Sequence, residues 1–209
     1  MKHLKLFEQF INNTNVDVIV AFMEDYSGYK NMRKIASGGN GFIFECDNSD
    51  YFIKVTGSVE EMNNVRKLTE EKLTNVMYIN DYIEEYIEEL DSEYFWFEIE
   101  KLDDLDYYHH SLMDVFFRSY NKSELGELNS NDDVETMFMN SNYKSWYVEW
   151  RDEALEKHKE YHKFFKVIFD YKNGIEELKG LGIELTDVGV HNIMYDYKTN
   201  NLKIIDIGE

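Results

Sequence analysis

The stretch Leu185-Thr186-Asp187-Val188-Gly189-Val190-His191-Asn192-Ile193-Met194, followed by Lys203-Ile204-Ile205-Asp206-Ile207-Gly208, has the residue types and spacing most suggestive of chemistry. A carboxylate precedes an amide by five positions, a short hairpin follows, and a second carboxylate closes a β-like run before a glycine. That order can direct one general base, Asp187, and two hard oxygen ligands, Asn192 and Asp206, at a single Mg²⁺-nucleotide. The plainer alternative is an ordinary loop followed by an ordinary turn.

Two earlier features carry weaker signals. Ala36-Ser37-Gly38-Gly39-Asn40-Gly41-Phe42-Ile43 lies between two predicted strands, where Gly38, Gly39 and Gly41 let a hairpin fold closely over phosphates; many such hairpins are only turns. Lys54 interrupts the apolar run Tyr51-Phe52-Ile53-Lys54-Val55 and points opposite to Ile53 and Val55. A buried ammonium requires an anionic partner, whereas a solvent-facing lysine on an edge strand requires none. His158 and His162 share a helical face, but Glu160 is misplaced for a zinc-protease signature. His109-His110 is a generic polar pair, and Trp96, Trp146 and Trp150 read as packing residues.

The elements that must position these residues follow from periodicity. Leu4, Phe7, Phe10, Ile11, Val18 and Phe22 recur at helical spacing, with a break expected near Asn12–Asn15. Arg33–Ala36, Phe42–Cys46 and Tyr51–Val55 read as an antiparallel meander punctuated by the glycines and by Asn48-Ser49-Asp50. Ser58–Asn75 has a capping serine and acidic residues in its first turn, which predicts a helix. Val76–Tyr86 and Glu93–Leu102 return to strands around an Asp91-Ser92 turn. Tyr107–Tyr120 reads as a helix, Asn121–Lys144 as a polar loop with mobility expected at Asn129–Asp133, and Trp146–Leu181 as helical. Asn192–Tyr197 and Asn201–Ile207 are short strands joined at Lys198-Thr199-Asn200.

The whole succession, from Gly-rich hairpin, strand lysine and helix through the hinge-like Glu100-Lys101-Leu102 to the D-x-x-x-x-N loop and Asp-x-Gly turn, resembles the protein-kinase-like superfamily. The resemblance covers roughly residues 34–208 at motif level. It implies an α+β, two-lobed fold: a helical extension over 1–32, an N-lobe over 33–101 with a five-stranded antiparallel sheet and one helix, and a reduced, mainly helical C-lobe over 102–209. By the same resemblance Gly38, Gly39 and Gly41 cover the phosphates of ATP, and Lys54 contacts the α- and β-phosphates. Glu61 is the chosen ion-pair partner of Lys54, with Glu60, Glu70 and Glu71 as alternatives. Backbone groups of Glu100–Leu102 receive the adenine, Asp187 orients or deprotonates a hydroxyl acceptor, and Asn192 and Asp206 bind Mg²⁺. The sequence also departs from the family. Ala36 replaces the first loop glycine, Leu185-Thr186 stands where His-Arg is expected, and Gly189 takes the place of a lysine, a loss for which His191 is a partial substitute. The chain ends just after the Asp-x-Gly turn, leaving no peptide platform.

Composition narrows the partners. A formal charge of −20 on 209 residues repels phosphate backbones and anionic membranes, so direct nucleic-acid binding is not expected. The same charge admits a second reading, a pseudokinase whose acidic surface engages a protein by imitating DNA. With 43% apolar and 16% aromatic residues the chain can bury a substantial core. The absence of proline reflects codon bias more than any demand of the fold. Cys46 is the single cysteine, which suits a reducing cytoplasm. The charges scattered through residues 1–20 fit neither a signal peptide nor a membrane span. The expected partners are therefore a nucleotide and a protein or small-molecule acceptor.

Overall fold

The computed structural model describes residues 13–37, 41–120, 125–185 and 189–207. Their contacts divide the described residues into two compact units, one within 13–72 and 78–101, the other within 73–77 and 102–207. Each unit has its own logic.

The described residues of the first unit form a five-stranded antiparallel sheet with two helices. Helix α1 (Asn13–Tyr26) precedes β1 (Arg33–Ser37), β2 (Gly41–Glu45) and β3 (Tyr51–Thr56); α2 (Val59–Leu68) follows, then β4 (Ile79–Ile87) and β5 (Ser92–Glu100). The strand order is β1-β2-β3-β5-β4, so β3 lies at the centre. Strict alternation buries Phe42 and Phe44 of β2 and Ile53 and Val55 of β3 in one core with Trp96 of β5. Ile19 and Met23 of α1, at i and i+4, close that core. Phe97, on the opposite pleat from Trp96, is also fully buried, which explains why β5 reads as a continuous aromatic run.

The second unit contains α3 (Tyr107–Ser119), α4 (Asn131–Asn140), α5 (Lys144–His158), α6 (Lys166–Gly180) and the hairpin of β6 (Ile193–Asp196) with β7 (Asn201–Ile204). Its core is aromatic. Phe138 stacks on Tyr147 at 5.0 Å, and Trp150 lies parallel to Phe165. Residues 73–77 are held against α6 and β7: Glu177 accepts the Thr74 and Asn75 N–H groups at 3.0 and 2.9 Å, and Met77 N–H donates to the Ile204 carbonyl. Gly174 is required here, because a Cβ would stand 2.8 Å from the Asn75 oxygen.

Several expectations are corrected. The described part of the opening helix runs through Asn13–Asn15 without a break; residues 1–12 lie outside the described residues. The helix expected over Ser58–Asn75 stops at Leu68, with Thr69 as C-cap. The supposed loop Asn121–Lys144 contains α4, and Asn129–Asp133 is a helix cap: Ser130 Oγ accepts from Asp133 N–H while Asp133 accepts from Asn129 N–H. Trp146–Leu181 is two helices parted by Lys159 at φ 59° and a 3₁₀ turn over Tyr161–Phe165. Among the described residues, no helix is long and apolar enough to cross a membrane.

Candidate functional site

Lys54 sits at the middle of the central strand, opposite Ile43 of β2 and Phe97 of β5, so the solvent-facing edge position does not apply. Its Nζ lies 2.5 Å from Glu61 Oε1, with the two side chains only 15% and 1% exposed. The sequence dictates this pairing locally. Two residues, Gly57 and Ser58, connect β3 to α2, and the Ser58 hydroxyl accepts the Glu61 N–H at 3.1 Å, fixing Glu61 in the first helical turn. There the helix dipole favours a carboxylate. Glu60 is exposed, and Glu70 and Glu71 lie beyond the helix end, also exposed. Glu61 is therefore the partner the fold selects among the four glutamates.

Gly41 opens β2, and its need for glycine has a source in the sheet itself. A Cβ there would stand 2.0 Å from the Val55 carbonyl oxygen. The backbone approach of β3 thus accounts for this glycine with no phosphate involved. Gly38 and Gly39 lie outside the described residues. At the end of β5, Glu100 N–H donates to the Tyr78 carbonyl at 3.1 Å and its carboxylate accepts Tyr78 N–H at 2.6 Å. That N–H is committed to the Tyr78 carbonyl. Leu102 opens the second unit.

In that unit the β6–β7 hairpin places Asn192 and Asp206. The ladder pairs Ile193 with Ile204, and Ile205 N–H donates to the Asn192 carbonyl at 3.0 Å, extending the register by one pair. Asn192 is thus opposite the neighbour of Asp206. The turn between the strands is set by Asp196, which accepts from Lys198 N–H and the Thr199 hydroxyl, with Asn200 at φ 58°. Asn192 is buried and Asp206 half-buried. An amide oxygen and a carboxylate are hard donors of the kind Mg²⁺ prefers, so this pair suits that ion. Asp187 lies outside the described residues. Among the described residues, no three His, Cys, Asp or Glu side chains gather as a metal set.

The paired histidines do not converge on a metal. His162 Nε2 meets Glu135 Oε1 at 3.0 Å, and His158 packs its ring against Tyr108 and Phe164. One buried cation went unnoticed in the sequence: Lys203 of β7 is 7% exposed and its Nζ donates to the Val76 carbonyl at 3.3 Å. Its signal, a charge inside an apolar strand, is the same as that of Lys54. Neither a protein-family model nor a curated protein sequence matches the chain.

Proposed function

We propose that the chain is an ATP- and Mg²⁺-dependent phosphotransferase of the protein-kinase-like fold, moving the γ-phosphoryl group to a hydroxyl on a protein or small molecule. The observation that carries this reading is the buried Lys54–Glu61 pair, formed between a central strand and the helix that follows it. The five-stranded order and the Asn192–Asp206 hairpin support it.

In this reading Glu61 holds the Lys54 ammonium in one orientation, so that it can meet the α- and β-phosphate oxygens without reorganising. Asn192 and Asp206 offer oxygen ligands, and the metal when bound neutralises charge on the β- and γ-phosphates. Asp187 accepts the proton of the acceptor hydroxyl as its oxygen bonds to the γ-phosphorus and the bond to the β-bridging oxygen breaks, leaving ADP. Incubation with α- and γ-labelled ATP tests the reading. Transfer of the γ label alone is expected. Transfer of the α label points to nucleotidyl transfer, and absence of both transfer and Mg²⁺-dependent thermal stabilisation by ATP refutes nucleotide function.

The charge of −20 favours a second reading, an acidic partner-binding pseudokinase. Partner capture that survives Asp206→Ala and weakens with salt would single it out.

A further inference from the structure

Past the end of α6 the chain turns back on itself. Leu181 closes the helix, Gly182 takes φ 66°, and the N–H groups of Gly182 and Ile183 donate to the Lys179 and Leu178 carbonyls, each at 3.0 Å. This left-handed close, which glycine adopts without strain, lays Ile183 along the last turn of α6. A cavity of about 280 Å³ opens there, bounded also by Tyr120 at the end of α3 and Leu125 of a 3₁₀ turn. Its wall is apolar at Leu125, Ile175, Leu178 and Ile183. Lys179 and Glu184 on its rim are exposed and opposite in charge, so together they favour neither sign of ligand.

The remaining polar groups of the wall are the Tyr120 and Tyr171 hydroxyls. Tyr171 is 2% exposed, with Phe117 set at right angles to its ring at 5.0 Å, and its phenol oxygen has no hydrogen-bond partner among the described residues. Burial and the influence of Tyr120 raise its pKa, so it remains a neutral donor. Two hydroxyls brought together satisfy only one of their two protons, which leaves a donor to be met from the cavity. We propose that this cavity binds a compact, uncharged and mostly apolar molecule bearing one hydrogen-bond acceptor, its body against Ile175, Leu178 and Ile183 and its acceptor on the Tyr120 and Tyr171 hydroxyls. A charged ligand would leave water for a wall whose two charges already cancel, and a pure hydrocarbon would leave the donor unmet. The volume is at the small end for ligand sites, which suits a single ring with a carbonyl group. Every residue involved belongs to the second unit, and the inference does not depend on nucleotide binding.

Three probes of similar shape test it on the full chain: acetophenone, isopropylbenzene, which lacks the acceptor, and benzoate, which is charged. Methyl shifts of Ile175, Leu178 and Ile183 in NMR titrations report both the site and the dissociation constant. Acetophenone is expected to move these methyls and to bind about ten-fold tighter than isopropylbenzene, while benzoate leaves them in place. Tyr171→Phe abolishes that preference without weakening isopropylbenzene. Its unliganded form melts no lower than wild type, because the substitution removes an unpaired buried hydroxyl. Ile175→Trp, at a half-buried position, fills the space and abolishes binding of both. Methyls unmoved by acetophenone, or moved equally by benzoate, overturn the proposal. So does a preference that survives Tyr171→Phe, or binding that survives Ile175→Trp. A Tyr171→Phe chain that melts well below wild type shows the hydroxyl to be bonded within the fold and overturns it as well.

Discussion

Replacing the Lys54–Glu61 pair by apolar residues separates what it does for the fold from what it does for the nucleotide. The two side chains are 15% and 1% exposed with charged atoms 2.5 Å apart, so the Glu61 carboxylate is held out of water against the Lys54 ammonium. Removing Lys54 leaves the buried Glu61 carboxylate without the cation beside it, a loss of about 3–5 kcal/mol. At about 2–4 °C per kcal/mol for a chain of this length, Lys54→Met alone lowers the melting temperature by roughly 10 °C. The double variant Lys54→Met/Glu61→Leu has no orphaned charge, and well-packed apolar pairs are often neutral or stabilising in such positions. It is expected within about 1 kcal/mol of wild type. Hydrogen exchange of the β3 and β5 amides is the suitable assay, because it reports the first unit separately from the second. If the proposed function holds, ATP at a thousand times its dissociation constant should stabilise wild type by about 4 kcal/mol, an increment expected to vanish in the double variant despite its recovered fold. A Lys54→Met variant within about 1 kcal/mol of wild type, or a double variant worse than Lys54→Met, would refute the reasoning about burial. A double variant that still responds to ATP would refute the functional assignment.

Three further outcomes are expected. Gly41→Ala drives a Cβ to within 2.0 Å of the Val55 carbonyl, which neither strand can relieve without shifting; urea denaturation should show a loss of about 3 kcal/mol. Asp206→Ala abolishes the Mg²⁺-dependent part of ATP stabilisation in thermal denaturation, and EDTA does the same to wild type; a variant that retains the Mg²⁺ response removes Asp206 from the metal site. The pKa of His109 is lowered from 6.5 by burial against Phe164 and Tyr195, which outweighs the opposing pull of Asp106 at 2.9 Å. The unfolded chain therefore binds more protons at this residue, so its contribution to stability is complete above about pH 6.5 and declines as the pH falls towards the depressed folded value. Urea midpoints at pH 7.5 and 5.5 should differ less in His109→Gln than in wild type, and an equal or larger difference refutes this.

The strands of the first unit were legible because alternation and punctuation agree: Phe42 and Phe44 inward, Ile53 and Val55 inward, Asn48-Ser49-Asp50 between them. Helix α4 was not, since Val134 and Phe138 are its only buried residues, too sparse for a periodic signal. Yet Ser130 and Asp133 carried a cap signature that outweighs its polarity. The break between α5 and α6 falls on Lys159 at φ 59°, a position that neither glycine nor asparagine marks. The early end of α2 has a cause about a hundred residues away: Glu177 and Ile204 capture residues 74–77, a tertiary demand that local propensity does not express. At the site, the Lys54–Glu61 pairing was expected only through the resemblance, with Glu60, Glu70 and Glu71 left open, whereas the commitment of the Glu100 N–H to Tyr78 depends on strand pairing and was not legible.

A second, partly exposed ion pair sharpens the meaning of the first. Lys166 Nζ meets Asp170 Oδ2 at 2.6 Å on α6, and the arrangement has structural work on both sides. The Asp170 carboxylate accepts the Leu202 N–H at 2.9 Å and the Lys166 ammonium donates to Asn201 Oδ1 at 2.8 Å. The pair thus anchors β7 to α6 by satisfying a backbone donor that would otherwise be buried without a partner. Among the described residues, the Glu61 carboxylate is shown holding no backbone N–H, and its ion partner is Lys54 of β3. Since an apolar pair would serve packing equally well there, stability gives no reason for two charges at the junction of β3 and α2. An ammonium held in one orientation for an anionic ligand does give one, and that reasoning, more than the order of motifs, makes Lys54 the residue on which the nucleotide reading depends.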